Sequence, residues 1–549
     1  MKKAILFLLS YSLLLSFSQN AAKPVATNAR PKLVVGIVID QMRWDFLYRY
    51  YDRYSKGGFK RLMNDGFNCE NTFIPYCPTV TAAGHASIYT GSVPAINGIA
   101  GNDWYDYDVQ HAVYCTEDKS VQPVGSDNTD KGRMSPKNLL VTTIGDELKL
   151  ATNFKSKVIG ISLKDRGSIL PAGHSADAAY WYDGKSGNFI SSTYYMKELP
   201  KWVQDFKTPN AVNSYYQKNW NTLYPINTYV QSDEDINDYE HNEFDSIPKG
   251  FPYDLKRFAE KKDFDMIFST PYGNSLTFDF AKAALIAEQL GKDSITDFLA
   301  VSLSSTDYVG HAFGPNSIET EDTYLRLDKD LEAFLLFLDK VVGKNNYTLF
   351  LSSDHGIAHV PGYLKKHELP NGIVSGADIK KKLNEVLKAQ FGYDSICVSK
   401  FKNQYYLNHT LIAKYNLDKE KITESAIAFL QTVDGIDRAL DYTDLQEAMI
   451  PAEVKEQFVK GYYPRRCGDI LTILKPGYID SKYNAGTDHS AWNPYDAHIP
   501  LLFYGYGINK GKDYDKVYMT DIAPTLSSLL HIQMPSGCIG SAIKEVIKK

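Results

Sequence analysis

Four short segments of the chain are apolar at nearly every position, and each ends in a cluster of polar residues. They are Lys32–Ile39, Lys157–Ile161, Phe298–Leu303 and Tyr347–Leu351. Segments that are apolar on both faces are typical of the buried strands of a parallel sheet. Helical patterns lie between them, among them Glu321–Val342, with apolar residues at i, i+3 and i+4. This alternation predicts an α/β fold with a doubly wound, mostly parallel sheet flanked by helices.

Two stretches interrupt the alternation and are predicted to be insertions. Residues 200–262 are rich in Tyr, Asn, Asp and Pro and have weak periodicity, which predicts a long, irregular surface excursion. Residues 376–450 are predicted to form a small α+β cap subdomain beside the site, with the elements Asp378–Gln390 (helix), Ser395–Phe401 and Gln404–Leu411 (strands) and Lys419–Val433 (helix). The catalytic domain as a whole is predicted to span residues 30–548.

The N-terminus has the pattern of a processing signal. A short basic start precedes an apolar run at residues 4–17, and Ser16 and Ser18 offer a cleavage site. We therefore predict a signal peptide over residues 1–18 and a periplasmic or secreted protein without a membrane span after cleavage. An uncleaved anchor is the alternative, but the run is shorter than the ~20 apolar residues of a bilayer span.

Composition narrows the class of protein. The chain has 549 residues, 44% of them hydrophobic, and a formal net charge of −5. This fits one large enzyme with insertions and excludes a general basic surface for a nucleic acid polymer. Export permits disulfides, but the sequence does not give a pairing. No CxxC motif indicates a cysteine metal site, so structural roles are favoured for Cys69, Cys77, Cys115, Cys397, Cys467 and Cys538.

Polar residues at the strand ends offer ligands for a two-metal site. Asp307 and His311 stand four apart, so one helical turn aims both at one ion, and Asp354 and His355 are adjacent. Taken singly, an aspartate after a strand is more often a helix cap, and a lone histidine is more often structural. Mixed carboxylate and imidazole ligation suits zinc. At strand ends, where such sheets bind ligands, a shared site is the better explanation for Asp40, Asp307, His311, Asp354, His355 and His489.

Thr81 offers a hydroxyl to the same site. Residues 82–90 are predicted to form a helix, which places Thr81 at its start. Helix starts favour anions through their free N–H groups and dipole, and a metal-bound hydroxyl is partly ionised and nucleophilic. Threonine is also a common N-cap, and Thr79 fits that role equally well. These residues alone do not separate the two.

Lys164 and Arg166 lie two apart after a predicted strand. Alternation along an extended chain is expected to point both to one side, with Asp165 opposite. An arginine fork and a lysine point charge facing a metal site form a phosphate clamp. An exposed charge pair beside Asp165 is the alternative explanation.

Several motifs have spacings and residue types in common with one enzyme superfamily: VVGIVIDQMR, PTVTAAGHASIYTGSVPAINGI, GNDW, SLKDRG, STDYVGHAFGP, SSDHG and GTDHSAW…HIPLLFYG. From about Leu33 to the C-terminus the chain resembles the alkaline phosphatase superfamily, in the branch that includes nucleotide pyrophosphatase/phosphodiesterases. Within that branch it is most similar to the bacterial phosphate-irrepressible alkaline phosphatases of the PafA type.

The resemblance implies a nucleophile and two zinc ions. It assigns Thr81, rather than Thr79, as the nucleophile that forms a phosphothreonine. It implies one zinc ion bound by Asp307, His311 and His489. It implies a second zinc ion bound by Asp40, Asp354, His355 and Thr81.

The resemblance also implies which residues contact the phosphoryl oxygens, namely Asn102 in GNDW and the pair Lys164 and Arg166. His498 is a rival to His489, but the GTDH motif fits the last ligand of the family better. Structural or supporting roles are expected for two further histidines, His85 and His359.

The pair Lys164 and Arg166 distinguishes two substrate classes. Phosphodiesterase relatives lack this pair, and a monoester dianion has a third charged oxygen that needs a partner. We therefore predict a secreted alkaline phosphatase that hydrolyses small phosphate monoesters of broad alcohol scope. The alternatives are a phosphodiesterase or nucleotide pyrophosphatase and, as a non-enzyme, a binding protein on a decayed hydrolase scaffold. A sulfatase is disfavoured because Cys77-Pro78-Thr79 lacks the following arginine, and nothing supports a third, magnesium, site.

Overall fold

The four apolar segments are neighbouring strands at the centre of one large sheet, which confirms their prediction. In the computed structural model, which describes residues 30–245 and 247–548, every residue of these strands is buried. They pair in parallel and comprise Leu33–Ile39, Val158–Ser162, Asp297–Leu303 and Tyr347–Ser352. The predicted signal peptide, residues 1–18, lies outside the described residues.

The strands are numbered in chain order: β1 (Leu33–Ile39), β2 (Phe67–Cys69), β3 (Thr72–Phe73), β4 (Asp103–Asp106), β5 (His111–Tyr114), β6 (Pro123–Val124), β7 (Val158–Ser162), β8 (Ala178–Asp183), β9 (Asn188–Ser192), β10 (Asp297–Leu303), β11 (Tyr347–Ser352), β12 (Gly372–Val374), β13 (Cys397–Phe401), β14 (Gln404–Leu407), β15 (Ile436–Asp441), β16 (Ile470–Leu474), β17 (Tyr478–Asp480), β18 (His498–Ile499), β19 (Leu501–Gly505), β20 (Gly511–Asp513) and β21 (Val517–Tyr518).

The α-helices are numbered in the same way: α1 (Phe46–Arg49), α2 (Phe59–Asp65), α3 (Thr81–Thr90), α4 (Pro94–Asn97), α5 (Thr129–Gly132), α6 (Ile144–Ala151), α7 (Asp165–Ala172), α8 (Lys201–Phe206), α9 (Thr208–Tyr216), α10 (Lys256–Lys261), α11 (Tyr272–Ala287), α12 (Ser305–Phe313), α13 (Ile318–Leu338), α14 (Pro361–Lys366), α15 (Gly376–Phe391), α16 (His409–Lys414), α17 (Lys419–Leu430), α18 (Ala452–Gly461), α19 (Pro494–Ala497) and α20 (Ile522–Leu530).

The main sheet has ten strands in the order β20-β2-β19-β11-β1-β10-β7-β8-β9-β6. Its centre, from β11 to β8, is parallel, whereas β19 and β9 run antiparallel to their inner neighbours. The predicted doubly wound, mostly parallel sheet is confirmed. Its parallel centre sets the carboxyl ends of β1, β7, β10 and β11 along one edge.

Helices cover both faces of this sheet. Alternate residues of β1 point to opposite sides: Leu33, Val35 and Ile37 pack in the core that includes α11 and α13. Val34 and Val38 pack in the core that includes α3 and α20. The predicted helix Glu321–Val342 corresponds to α13, which begins earlier because Ser317 caps it by accepting a hydrogen bond from the Thr320 N–H.

Residues 200–262 are less irregular than predicted. They contain the short helices α8, α9 and α10. Trp220, Tyr216 and Tyr253 from this stretch are buried in the same core as α11 and α13. Weak periodicity led to the prediction of an irregular surface segment, because this stretch is held to the core by single buried aromatic side chains and has no regular apolar stripe.

The second predicted insertion forms a four-stranded sheet in the order β13-β14-β16-β15. Helices α15 and α17 contribute to its own buried core. The strand predicted over Gln404–Leu411 ends at Leu407, because Asn408 starts α16 by accepting a hydrogen bond from the Leu411 N–H. The sheet also includes β16, which lies beyond the predicted end at residue 450.

All six cysteines are free thiols, five of them buried and Cys538 half-buried. Burial raises the pKa of the thiols, to about 12 for Cys397 and for Cys467. Their packing agrees with the structural role that the sequence favoured. Among the helices of the described residues, none combines the length and the apolar character needed to cross a membrane.

Candidate active site

Carboxylate and imidazole side chains from distant parts of the chain meet at the carboxyl edge of the main sheet. The ends of β1 and β11, the helix after β10 and the loop before α19 supply them: Asp40, Asp354, His355, Asp307, His311 and His489. All are buried except His311, which is half-buried. Parallel strands present their carboxyl ends at one edge, and the convergence follows from that topology.

The first group of these residues consists of Asp40, Asp354 and His355. Their ligand atoms lie within 4.8 Å of one another, and none of the three is exposed. His355 Nε2 lies 3.5 Å from both Asp40 Oδ1 and Asp354 Oδ2. Within the described part of the chain these two oxygens have no hydrogen-bond partner, whereas buried polar atoms are normally satisfied. A divalent cation among the three side chains would satisfy both.

The second group is centred on Asp307. Its Oδ1 lies 3.2 Å from His311 Nε2 and 3.8 Å from His489 Nε2. The two groups adjoin, since the ligand atoms of Asp307, His355 and His489 also lie within 4.8 Å of one another. The rings of His355 and His489 stack with centroids 3.6 Å apart.

The three histidines of these groups direct the same ring nitrogen into the site. Nδ1 of His311, His355 and His489 lies 2.8, 2.9 and 2.7 Å from a backbone carbonyl oxygen, in that order those of Thr487, Gly356 and Thr79. A carbonyl oxygen only accepts, so each Nδ1 holds the proton and donates it. Each Nε2 is therefore the ring nitrogen that faces the carboxylates and is left for a metal ion, as in metal-binding histidines. The donor set fits zinc.

Lys164 bridges the two groups. Its Nζ lies 2.7 Å from Asp40 Oδ2 and 2.5 Å from Asp307 Oδ2. Burial works to lower the pKa of Lys164, but Asp307 and Asp40 outweigh it and raise that pKa above its ordinary value. The site therefore has a cationic side chain of its own between the two groups.

Thr81 is the first residue of α3 and is buried. Its Oγ1 lies 3.4 Å from His355 Nε2, beside the first group. Asn102 Oδ1 accepts a hydrogen bond of 2.9 Å from the Ala82 N–H, which fixes Asn102 at the same helix start. The hydroxyl of Thr79 instead donates to the Ala491 carbonyl at 2.9 Å. The geometry thus distinguishes the two threonines that the residues alone left open.

Lys164 and Arg166 do not alternate along a strand, and that expectation was wrong. β7 ends at Ser162 and α7 begins at Asp165, so the chain has already turned into a helix. Arg166 Nη1 donates to the Tyr114 hydroxyl at 3.0 Å, and that hydroxyl donates to Asp165 Oδ1 at 2.6 Å. Lys164 and Arg166 nevertheless line one pocket of about 250 Å³.

The three other histidines considered in the sequence analysis lie outside the two groups. His498 is stacked between two aromatic rings, and His359 is bonded between an arginine and an asparagine. His85 is nearer, with Nδ1 2.9 Å from the Thr81 carbonyl oxygen and 3.3 Å from Asp354 Oδ2. The structure thus places His489, and not His498, beside Asp307.

Sequence reasoning missed several residues of the site. Gln41 contacts both Asp354 and Asp307, and Tyr114 supports Arg166. Asp488 lies 3.9 Å from His311 Nδ1 and pairs with Lys402, at the tip of the β13–β14 hairpin, at 2.8 Å. The sequence offered one indication that Gln41 and Asp488 belong to the site, since each is adjacent to a candidate metal ligand. Nothing in the sequence pointed to Tyr114 or Lys402.

The family follows from comparison with known proteins. The model of the type I phosphodiesterase / nucleotide pyrophosphatase family matches residues 34–496, a span that includes both groups, Thr81, Asn102, Lys164 and Arg166. This chain belongs to that family.

Three relatives that match nearly the whole of this chain are about half identical to it. Alkaline phosphatase PhoV of Synechococcus elongatus is 52% identical over 564 residues, covering 100% of both chains. A protein of Myroides odoratus named calcium-transporting ATPase is 52% identical over 523 residues, 95% of each chain. Alkaline phosphatase PafA of Elizabethkingia meningoseptica is 50% identical over 547 residues, 100% of this chain and 99% of its own.

The crystal structure of wild-type PafA superposes on this family member with a TM-score of 0.92, covering 94% of this chain and 99% of that one at 50% identity. The resemblance to PafA-type enzymes, the α/β fold and the enzyme class, an alkaline phosphatase, are thereby confirmed.

Proposed function

We propose that this protein is a periplasmic or secreted alkaline phosphatase that hydrolyses phosphate monoesters through a phosphothreonine at a two-zinc site. The observation that supports this most directly is the Thr81 hydroxyl, held at a helix start 3.4 Å from His355 Nε2 and beside two unpartnered carboxylate oxygens. One zinc ion is assigned to Asp40, Asp354, His355 and Thr81. The other is assigned to Asp307, His311 and His489.

Bound zinc supplies Lewis acidity, which lowers the pKa of a hydroxyl and stabilises a leaving oxygen. In the proposed reaction the Thr81 hydroxyl gives up its proton to solvent and Oγ1 attacks phosphorus in line. The bond from phosphorus to the leaving oxygen breaks, and that oxygen takes a proton from solvent to leave as the alcohol. Water then attacks the phosphothreonine, releasing phosphate and restoring the Thr81 hydroxyl. Two displacements at phosphorus give net retention.

Residues around Thr81 bear the charge of the transferring group. A phosphoryl transition state spreads negative charge over three equatorial oxygens, so that positioning and electrostatics dominate catalysis. The free N–H groups at the start of α3, the amide of Asn102 and the cations Lys164 and Arg166 are assigned to these oxygens. Arg166 Nε has no hydrogen-bond partner among the described residues, although its Nη1 is held by Tyr114.

Two cations favour monoesters over diesters. A monoester dianion has one more charged oxygen than a diester. Lys164 and Arg166 line one pocket, and Lys164 also contacts Asp40 and Asp307 of the site. The inserted subdomain contributes to a pocket next to the start of α3. Phe401 and Lys402 line this pocket of about 120 Å³ together with Val80 and Asn102. This position supports the assignment of residues 376–450 to a cap beside the site within a catalytic domain of residues 30–548.

The decisive experiment compares an aryl phosphate with its bis-aryl phosphate diester, with and without a metal chelator. We expect the higher kcat/KM for the monoester and loss of both activities with the chelator. A preference for the diester would identify a phosphodiesterase instead, and absence of both activities from zinc-loaded protein would indicate a binding protein. ATP belongs in the substrate panel because one relative is named an ATPase.

A further inference from the structure

Gln41 joins the two groups of the site. It follows Asp40 and is 2% exposed. Its backbone N–H donates to Asp354 Oδ1 at 3.1 Å, and its side-chain Nε2 donates to Asp307 Oδ1 at 2.6 Å. Asp354 belongs to the first group and Asp307 to the second. One residue therefore holds one carboxylate of each group with two different donors.

The backbone turn at Gln41 makes this double contact possible. Gln41 has a φ of 70°, in the left-handed region that few residues other than glycine adopt. The turn is fixed on both sides, because the Asp40 N–H donates to the Leu303 carbonyl at 3.0 Å and the Met42 N–H donates to Ser353 Oγ at 2.8 Å. The strained conformation is thus held by the ends of β10 and β11.

The helix that contains Asp307 is shaped to receive the Gln41 amide. A Cβ atom at Gly310 would lie 1.8 Å from Gln41 Oε1. Only glycine leaves the amide room at this position, between Asp307 and His311. Both the turn after β1 and the helix α12 therefore have local features that accommodate this one side chain.

We propose that Gln41 is a positioning residue that couples the two metal groups, so that an ion bound at one favours binding at the other. Because the turn is already fixed, an ion that holds Asp354 also holds its hydrogen bond with the Gln41 N–H, and the Gln41 amide then holds Asp307 toward His311 and His489. Such coupling is reciprocal by thermodynamic necessity, with typical factors of about 5 to 150 in affinity. The inference rests on the proposed two-zinc site.

Two substitutions test separately the length of the Gln41 side chain and the hydrogen bond that its amide donates. Gln41→Asn suits the left-handed backbone, because asparagine is enriched there, but its amide is one methylene too short to reach Asp307. Gln41→Met keeps the length and removes the donor. Gln289→Met is a matched control: Gln289 also has a positive φ, of 56°, is exposed and lies outside the site.

The measurement is zinc bound per chain while a chelator of known affinity is titrated into the zinc-loaded protein. We expect wild type and Gln289→Met to release two ions in one steep step. Both Gln41 variants should release them in two steps separated by about 10-fold or more in free zinc, the usual scale for residues that orient metal ligands.

Three results would overturn the coupling. They are identical release curves for wild type and both Gln41 variants, two separated steps already in wild type, or two steps in Gln289→Met. If wild type binds fewer than two zinc ions, the two-zinc site itself fails, and that outcome is distinct because it appears in the stoichiometry and not in the shape of the curve.

Discussion

The two halves of the site, the first group around Asp40 and the second group around Asp307, differ in the direction in which the fold shifts the pKa of these two carboxyl groups. Burial works to raise the pKa of Asp307, but Lys164 and His311 outweigh it and hold that pKa well below its usual range. In the other half, burial raises the pKa of Asp40 well above its usual range, with Asp307 and Asp354 adding to the effect. Lys164 contacts both carboxylates. It helps to keep Asp307 charged, whereas it does not offset the burial of Asp40, so that a further cation is needed to favour the charged form of Asp40.

The largest expected effect tests whether Thr81, which lies beside the Asp40 half, is the nucleophile. Thr81→Ala removes the proposed nucleophile and leaves every carboxylate and imidazole in place. We expect kcat for an aryl phosphate to fall by about 10⁴-fold or more, with zinc content unchanged by elemental analysis. Thr79→Ala serves as the control, because that hydroxyl donates to a backbone carbonyl. Full activity in Thr81→Ala would disprove the assignment.

The next effect concerns a cation that lies outside both halves. Arg166→Ala removes a proposed partner of the third phosphoryl oxygen. We expect kcat/KM for the monoester to fall by about 100-fold or more, on the scale of removing one charge-stabilising donor, and diester hydrolysis to fall far less. Equal losses on both substrates would remove the main argument for a monoesterase.

The sequence was sufficient for the centre of the fold and for the candidate ligands. Strands such as Leu33–Ile39 are buried on both faces, so their apolar runs are unmistakable, and polar residues at their ends are exceptional enough to notice. Tyr114 was invisible because its role depends on a contact with Arg166 that only the tertiary fold creates. The orientation of Lys164 was misjudged because helix α7 begins at Asp165, directly after it.

Charge-removing substitutions in the two halves should affect the metal-free protein unequally. Asp307→Asn disrupts a buried contact with Lys164, and we expect a loss of about 3 kcal/mol in the free energy of unfolding. Asp40→Asn also removes a contact with Lys164, but burial already disfavours the charged form of this carboxyl group, and we expect a change within about 1 kcal/mol. Urea unfolding after chelation measures both. Equal losses would show that the two halves do not differ.

A smaller effect on monoester hydrolysis is expected when the hydrogen bond between Arg166 and the Tyr114 hydroxyl is removed. Tyr114→Phe keeps the ring and removes the hydroxyl that accepts from Arg166 and donates to Asp165. Hydrogen bonds to charged groups contribute about 1.5–3 kcal/mol, so we expect about a 10-fold loss of monoester kcat/KM with little change for the diester. The matched control is Tyr105→Phe, on the neighbouring strand β4. A similar loss on both substrates would contradict a specific role in holding Arg166.

The smallest effect is a difference in pH dependence without metal. The folded pKa of Asp40 is raised, so its stabilisation is present below the ordinary aspartate value of about 3.9 and is lost as pH rises toward the folded pKa. The folded pKa of Asp307 is lowered, so its stabilisation is present above about 3.9 and is lost as pH falls through the folded pKa. We therefore expect Asp40→Asn to flatten the decline of Tm on raising pH and Asp307→Asn to flatten the decline on lowering it.

The six unpaired thiols have a practical consequence for anyone who makes this protein. A fold whose cysteines are packed rather than cross-linked does not require disulfide formation. The chain without the predicted signal peptide, residues 1–18, should therefore fold in the reducing cytoplasm of an expression host. High thiol pKa values also keep the buried sulfur atoms protonated, and hence unreactive, in mildly alkaline buffers. Reducing agents, which compete for zinc, can then be omitted from its purification.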